Sequence, residues 1–261
     1  MRHVITSSRR RVTGGVGSAG TVAFSARGNT ANGTTSLSVP HPSGTTSAGN
    51  YLIIFVSLKP ETPTPSTPSG WTLLSTSTGG KGAAGIDAGF MKTVAYGKIA
   101  AGGETGNVSI TLTGGNVAQA WMMRFTKSAG ASWDIAASNA TFDASSAPVA
   151  PSSNNTIRAN SSSIAIEAGD AVVAWFGINT DAGAATLGGS VVFTASGITL
   201  GAIDGDSDSS ITGNDMRVVA TWAQVTAGNN TTTMQAGFSL ATQTANSPAG
   251  AVIFLRLRAV A

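Results

Sequence analysis

The chain has 261 residues, 33 of them glycine, with no cysteine and only 10% charged residues. That length supports one large domain or two small ones with cores of their own, and the absence of thiols excludes a disulfide scaffold and cysteine-based zinc sites. The net charge is +3, but Arg2, Arg9, Arg10 and Arg11 fall in the first eleven positions, which hold no acid, leaving 11 basic against 12 acidic residues in the remainder. The body therefore has no basic excess with which to follow a nucleic-acid backbone, and nucleic acid is not the expected partner.

Residues 1–20 read as a basic flexible arm. Between Met1 and Gly20 there is no apolar stretch of the kind a secretion signal needs. The longest apolar runs, 51–56 and 171–176, are too short to span a bilayer, so a soluble chain with no membrane partner is expected. Gly15-Val16-Gly17-Ser18-Ala19-Gly20 matches the letters of a dinucleotide-binding loop. That motif works between a buried strand and a helix, whereas here it follows an arginine run and precedes a predicted strand, so it reads as a hinge.

Residues 21–130 carry short β-branched and aromatic segments separated by Gly, Ser, Asn and Pro, which predicts strands near 21–27, 35–40, 51–58, 71–76, 91–99, 107–113 and 117–126. The run from Lys59 to Pro68 holds four prolines and is predicted to be a stiff exposed loop, because proline cannot donate to a ladder. Residues 131–261 repeat the pattern, with strands near 139–143, 156–166, 170–178, 190–203, 215–225, 231–240 and 249–260. No segment sustains a helical apolar period over three turns.

The two halves align with each other. Ala48-Gly49-Asn50-Tyr51-Leu52-Ile53 matches Ala168-Gly169-Asp170-Ala171-Val172-Val173 at a displacement of 120; Met91-Lys92-Thr93-Val94 matches Met216-Arg217-Val218-Val219 at 125; and Trp121-Met122-Met123-Arg124-Phe125 matches Ile253-Phe254-Leu255-Arg256-Leu257 at 132. Loop insertions in the second copy account for the drift. The expected fold is all-β: two tandem antiparallel β-sandwiches, jelly-roll or a related Greek key, behind an extended N-terminal arm.

Leu37-Ser38-Val39-Pro40, Ala48-Gly49-Asn50-Tyr51-Leu52-Ile53, Pro68-Ser69-Gly70-Trp71-Thr72-Leu73-Leu74 and Val94-Ala95-Tyr96-Gly97-Lys98-Ile99-Ala100 together resemble a paired β-sandwich module. It occurs in tailed-bacteriophage virion proteins and in bacterial surface proteins. The resemblance runs over roughly residues 35–260. It departs from the usual pattern at Asn50, where an Asp is common, and the basic arm in place of a secretion signal favours the phage context.

Candidate chemistry is sparse. The two histidines are His3 in the arm and His41 between two prolines, and no Gly-x-Ser-x-Gly elbow offers a nucleophile, so His41 reads as a turn residue and no catalytic residue is expected. With three glutamates in the chain, a carboxylate pair for glycoside cleavage is not expected either. Asp204, Asp206 and Asp208 alternate, and Asp215 lies eleven residues after the first, a spacing reminiscent of a calcium loop; the other reading is an exposed hairpin tip. No other cofactor is expected. Trp71, Trp121, Trp175 and Trp222 are predicted in strands as core residues, and Trp133 in the connection is predicted to pack the copies together.

These features, with the resemblance, imply a non-enzymatic virion component. The leading expectation is a capsid decoration or cement protein, homo-oligomeric, whose Arg2, Arg9, Arg10 and Arg11 contact the major capsid protein or neighbouring virion subunits. The alternative is a tail or fibre protein with a carbohydrate- or receptor-binding sandwich, which would require exposed tryptophans or a calcium-tuned loop.

Overall fold

The computed structural model describes residues 20–82, 89–114, 117–142, 155–179, 192–194, 198–209, 216–226, 229–240 and 249–260. Among these there are strands and turns but no helix. The first half forms β1 (Val22–Arg27), β2 (Ala31–Gly33), β3 (Ser36–Pro40), β4 (Tyr51–Lys59), β5 (Thr72–Gly82), β6 (Gly89–Ile99), β7 (Asn107–Thr111) and β8 (Val117–Lys127). The second forms β9 (Ser132–Phe142), β10 (Asn155–Glu167), β11 (Ala171–Asn179), β12 (Val192–Thr194), β13 (Ile198–Ser209), β14 (Met216–Val225), β15 (Asn229–Leu240) and β16 (Ala249–Val260).

Each half builds one large and one small sheet, all antiparallel. The large sheets run β1-β8-β4-β6-β5, with β2 also on β8, and β9-β16-β11-β14-β13; the small ones are β3-β7 and β10-β15-β12. Strand order in the two large sheets is the same once β4 is matched to β11, β6 to β14 and β8 to β16. The ladders reproduce the sequence displacements. Phe55 lies opposite Ala95 and Trp121, and Trp175, 120 positions on, lies opposite Ala220 and Ile253, which are 125 and 132 positions on.

The unalternating apolar run at the start of β4 marks a strand buried on both faces, and every residue of β4 is buried. Successive side chains point to opposite faces. Ile53 and Phe55 enter a core shared by the two large sheets, whereas Leu52, Ile54, Val56 and Leu58 enter the core under β3-β7. In β11, Val173 and Trp175 face the shared core while Val172, Ala174 and Phe176 face the one under β10-β15. The two sandwiches are thus stacked back to back in four layers. Trp175 is the keystone: it stacks on Phe55 at 5.1 Å, meets Trp121 edge-on at 4.8 Å and donates from Nε1 to Ser57 Oγ at 2.8 Å.

Three sequence expectations change. The proline run is not an exposed loop: Pro63, Pro65 and Pro68 are buried and the intervening Thr62, Thr64, Ser66 and Thr67 are exposed. It is a strap along the β7 edge, where Pro65 bridges Leu112, Ser66 N donates to Thr111 O at 2.9 Å, and Tyr96 Oη donates to Pro65 O at 2.9 Å. Proline serves at such an edge because only its carbonyl is needed. Further on, the single strand expected at 190–203 is two, β12 and β13, and β9 begins at Ser132 where a strand from 139 was expected.

Candidate functional site

The first described residues, Gly20 to Val22, lie at a seam between the sandwiches. Gly20 N donates to Ala259 O at 2.8 Å, Thr21 N to Ser128 Oγ at 3.2 Å, and Val22 N to Gly169 O at 2.8 Å. A Cβ on Gly169 would lie 2.8 Å from Gly20 O, and its φ of 97° is one that side chains avoid, so glycine is required twice over. The chain leaving Gly20 toward residue 1 is therefore rooted in both halves.

Beside this root lies a charged cluster. Asp170 is fully buried at the end of the tight turn Glu167-Ala168-Gly169-Asp170, where its carboxylate accepts from Glu167 N at 2.8 Å. Arg258 donates to it from Nε at 3.0 Å and from Nη2 at 2.8 Å, and pairs with Glu167 at 2.9 Å. The hydrogen bond to Asp170 outweighs desolvation and raises the Arg258 pKa above its usual value. Two residues earlier on the same face of β16, Arg256 pairs with Asp134 at 2.7 Å and donates to Ala165 O at 3.2 Å.

The first half holds the counterpart turn, Ser47-Ala48-Gly49-Asn50, with Asn50 Oδ1 accepting from Ser47 N at 2.9 Å and Trp133 Nε1 donating to Gly49 O at 2.9 Å. Arg124, counterpart of Arg256, ties down the preceding loop through Ser43 O, Gly44 O, Thr46 Oγ1 and Ser25 Oγ. The position matching Arg258 is Thr126. With no cation there, a neutral Asn50 suffices where the second half needs Asp170; the departure noted in the sequence has a partner that departs with it.

His41 sits half-buried with its Nδ1 buried and lacking a hydrogen-bond partner, and its N donates to Gly106 O at 3.0 Å. Desolvation lowers its pKa, Glu104 opposes this, and Lys98 adds to it. For Glu104, burial alone would raise the carboxyl pKa. Hydrogen bonds from backbone N–H groups, Ala101 at 2.6 Å and Gly102 at 2.9 Å among them, join Lys98 at 3.5 Å to hold it below the usual range. This cluster fixes a turn with glycines 102, 103 and 106 at positive φ.

Of the sequence-predicted site residues, Arg2, Arg9, Arg10, Arg11 and Asp215 lie outside the described residues. Asp204, Asp206 and Asp208 lie in β13. Asp206 is opposite Val219, Asp208 is opposite Arg217, and Asp204 occupies a bulge between Ile203 and Gly205. Alternate carboxylates are as native to a strand as to a chelating loop, because a strand's side-chain period is two. None of the five tryptophans is exposed: Trp71, Trp121 and Trp175 are buried, Trp133 packs on Tyr51 at 5.3 Å, and Trp222 stacks on Phe24 at 5.2 Å. The structure also brings forward Asp170, Arg258 and Arg256, which the sequence reading did not single out; the Ala-Gly-Asp element carried the signal for the first.

In comparisons with known proteins, no family model matches the chain, and no match was found among curated proteins or among solved structures.

Proposed function

We propose that the chain is a virion structural protein of a tailed bacteriophage, a capsid decoration or cement subunit. Its arm docks on the major capsid protein or a neighbouring subunit while the stacked sandwiches lie over the shell. The observation that carries this reading is the division of charge. In the body, Arg27 lies over Trp121 at 4.5 Å, Lys92 donates to Pro63 O at 2.8 Å, Lys98 pairs with Glu104, and Arg124, Arg256 and Arg258 serve internal contacts. These cations are committed to the fold, whereas Arg2, Arg9, Arg10 and Arg11 stand together in a segment with no acid of its own. Arginine forks match carboxylates bidentately, which suits an acidic groove on a protein shell. A sugar-binding reading finds no exposed tryptophan to support it.

Deletion of residues 1–13 tests the proposal. The truncated chain is expected to keep the melting temperature of the full chain, since the described fold begins at Gly20, and to be missing from assembled particles. Normal incorporation would mean that the sandwich faces, and not the arm, make the contact.

A further inference from the structure

The two large sheets meet along β4 and β11 through equivalent residues, and approach most closely where β5 lies against β9 and β16. Ile53, Met123 and Phe125 line the shared core from one side, and their counterparts Val173, Leu255 and Leu257 line it from the other. Near its middle, counterpart touches counterpart. Phe55 and Trp175 stack with planes 5° apart, and a Cβ on Gly177 would press on Ser57 Oγ, 2.9 Å from Ser57 Cβ and 2.8 Å from Thr93 Oγ1. A patch that meets its own equivalent is the mark of an isologous contact, the kind found on the two-fold axis of a homodimer. No strand is exchanged: the first large sheet is built only from strands within 22–127 and the second only from strands within 132–260, so the covalent link is the turn at 128–131. Polar contacts fix the alignment, with Thr93 Oγ1 donating to Ala251 O at 3.4 Å and Ser77 Oγ to Ala140 O at 3.1 Å.

We propose that this face is a dimerisation surface in its own right, that the chain is a tethered pseudo-dimer, and that the partner the face fits is a second copy of the module. The tether sets the effective concentration of the two modules but does not supply the contact. Burying two largely apolar sheet faces with aromatic anchors at the centre is the composition of an obligate interface.

The test cuts the tether in the full-length protein. A site-specific protease sequence is inserted between Ala129 and Gly130, where the chain is exposed, and the cleaved protein is followed by size exclusion and native mass spectrometry at micromolar concentration. The expected species is a 1:1 complex of the two halves, with a melting temperature that rises with protein concentration. Elution of either half alone, folded or unfolded, would overturn the proposal. A second arm places the contact: Gly177→Ala in the cleaved protein, whose added Cβ would meet Ser57 and Thr93, is expected to raise the dissociation midpoint at least tenfold. Cohesion indifferent to Gly177→Ala would also overturn it, because the halves would then be held elsewhere.

Discussion

Asn50 and Asp170 occupy the same place in two turns, and what separates them is the residue facing the turn from the neighbouring strand, Thr126 in one half and Arg258 in the other. A buried carboxylate without its cation costs about 3 kcal/mol or more, and an isolated polar group about 1–3 kcal/mol. Asn50→Asp is therefore expected to lower stability by about 1–2 kcal/mol in chemical denaturation, and Thr126→Arg in the same chain to recover it; Thr126→Arg that worsens the single variant would contradict the pairing. The pH response has its own residue. His41 has a folded pKa below its ordinary value because burial disfavours the cation, so the unfolded chain takes up the proton first. Stability from this source is complete above about pH 6.5 and is lost as pH falls through the lowered value. Glu104, also depressed, adds a loss at more acid pH. In melts between pH 7.5 and 5, His41→Gln is expected to show a shallower decline than the parent; parallel curves would remove His41 from the account.

At the scale of the elements, most strands were legible, because β-branched runs bounded by Gly, Ser and Pro have few other solutions in a chain so poor in helix formers. Register was legible too. The displacements at Tyr51, Met91 and Trp121 are those of the ladders, since an insertion in a loop shifts every later residue without disturbing pairing inside a strand. What stayed hidden was which faces meet. Tyr51 to Val56 shows that a strand is covered on both sides, but not that one cover is the other half of the chain. The strap was misread because proline's missing N–H argues against a ladder, yet Thr62-Pro63-Thr64-Pro65 alternates with the period of a strand, and its prolines are the buried members. The same period of two places Asp204, Asp206 and Asp208 within a strand, β13. The strap yields a prediction: Tyr96→Phe removes the donor to Pro65 O and is expected to cost about 1 kcal/mol and to speed proteolysis between Glu61 and Ser69. Unchanged proteolysis would show that the strap is held by its other contacts, Ser66 with Thr111 and Lys92 with Pro63 O among them.

For the whole molecule, the four layers leave a body in which Arg27, Lys92, Lys98, Arg124, Arg256 and Arg258 serve internal contacts and whose first described residue, Gly20, lies at the seam. Such a body suits the durable covering proposed above: aromatic anchors fill its shared core, and buried Asp170 is matched by Arg258. The arm is what the sequence made most visible, through the clustering of Arg2, Arg9, Arg10 and Arg11, and it is where the proposed attachment resides. Decoration of a shell demands repetition, since each capsid facet offers the same groove many times, whereas a tail tip offers few positions. The most direct measurement of the proposed role is the number of these chains per purified phage particle, by quantitative mass spectrometry against the major capsid protein. Decoration predicts a fixed, near-stoichiometric ratio to the capsid protein, on the order of hundreds of copies per head; a handful of copies, or none, would contradict it.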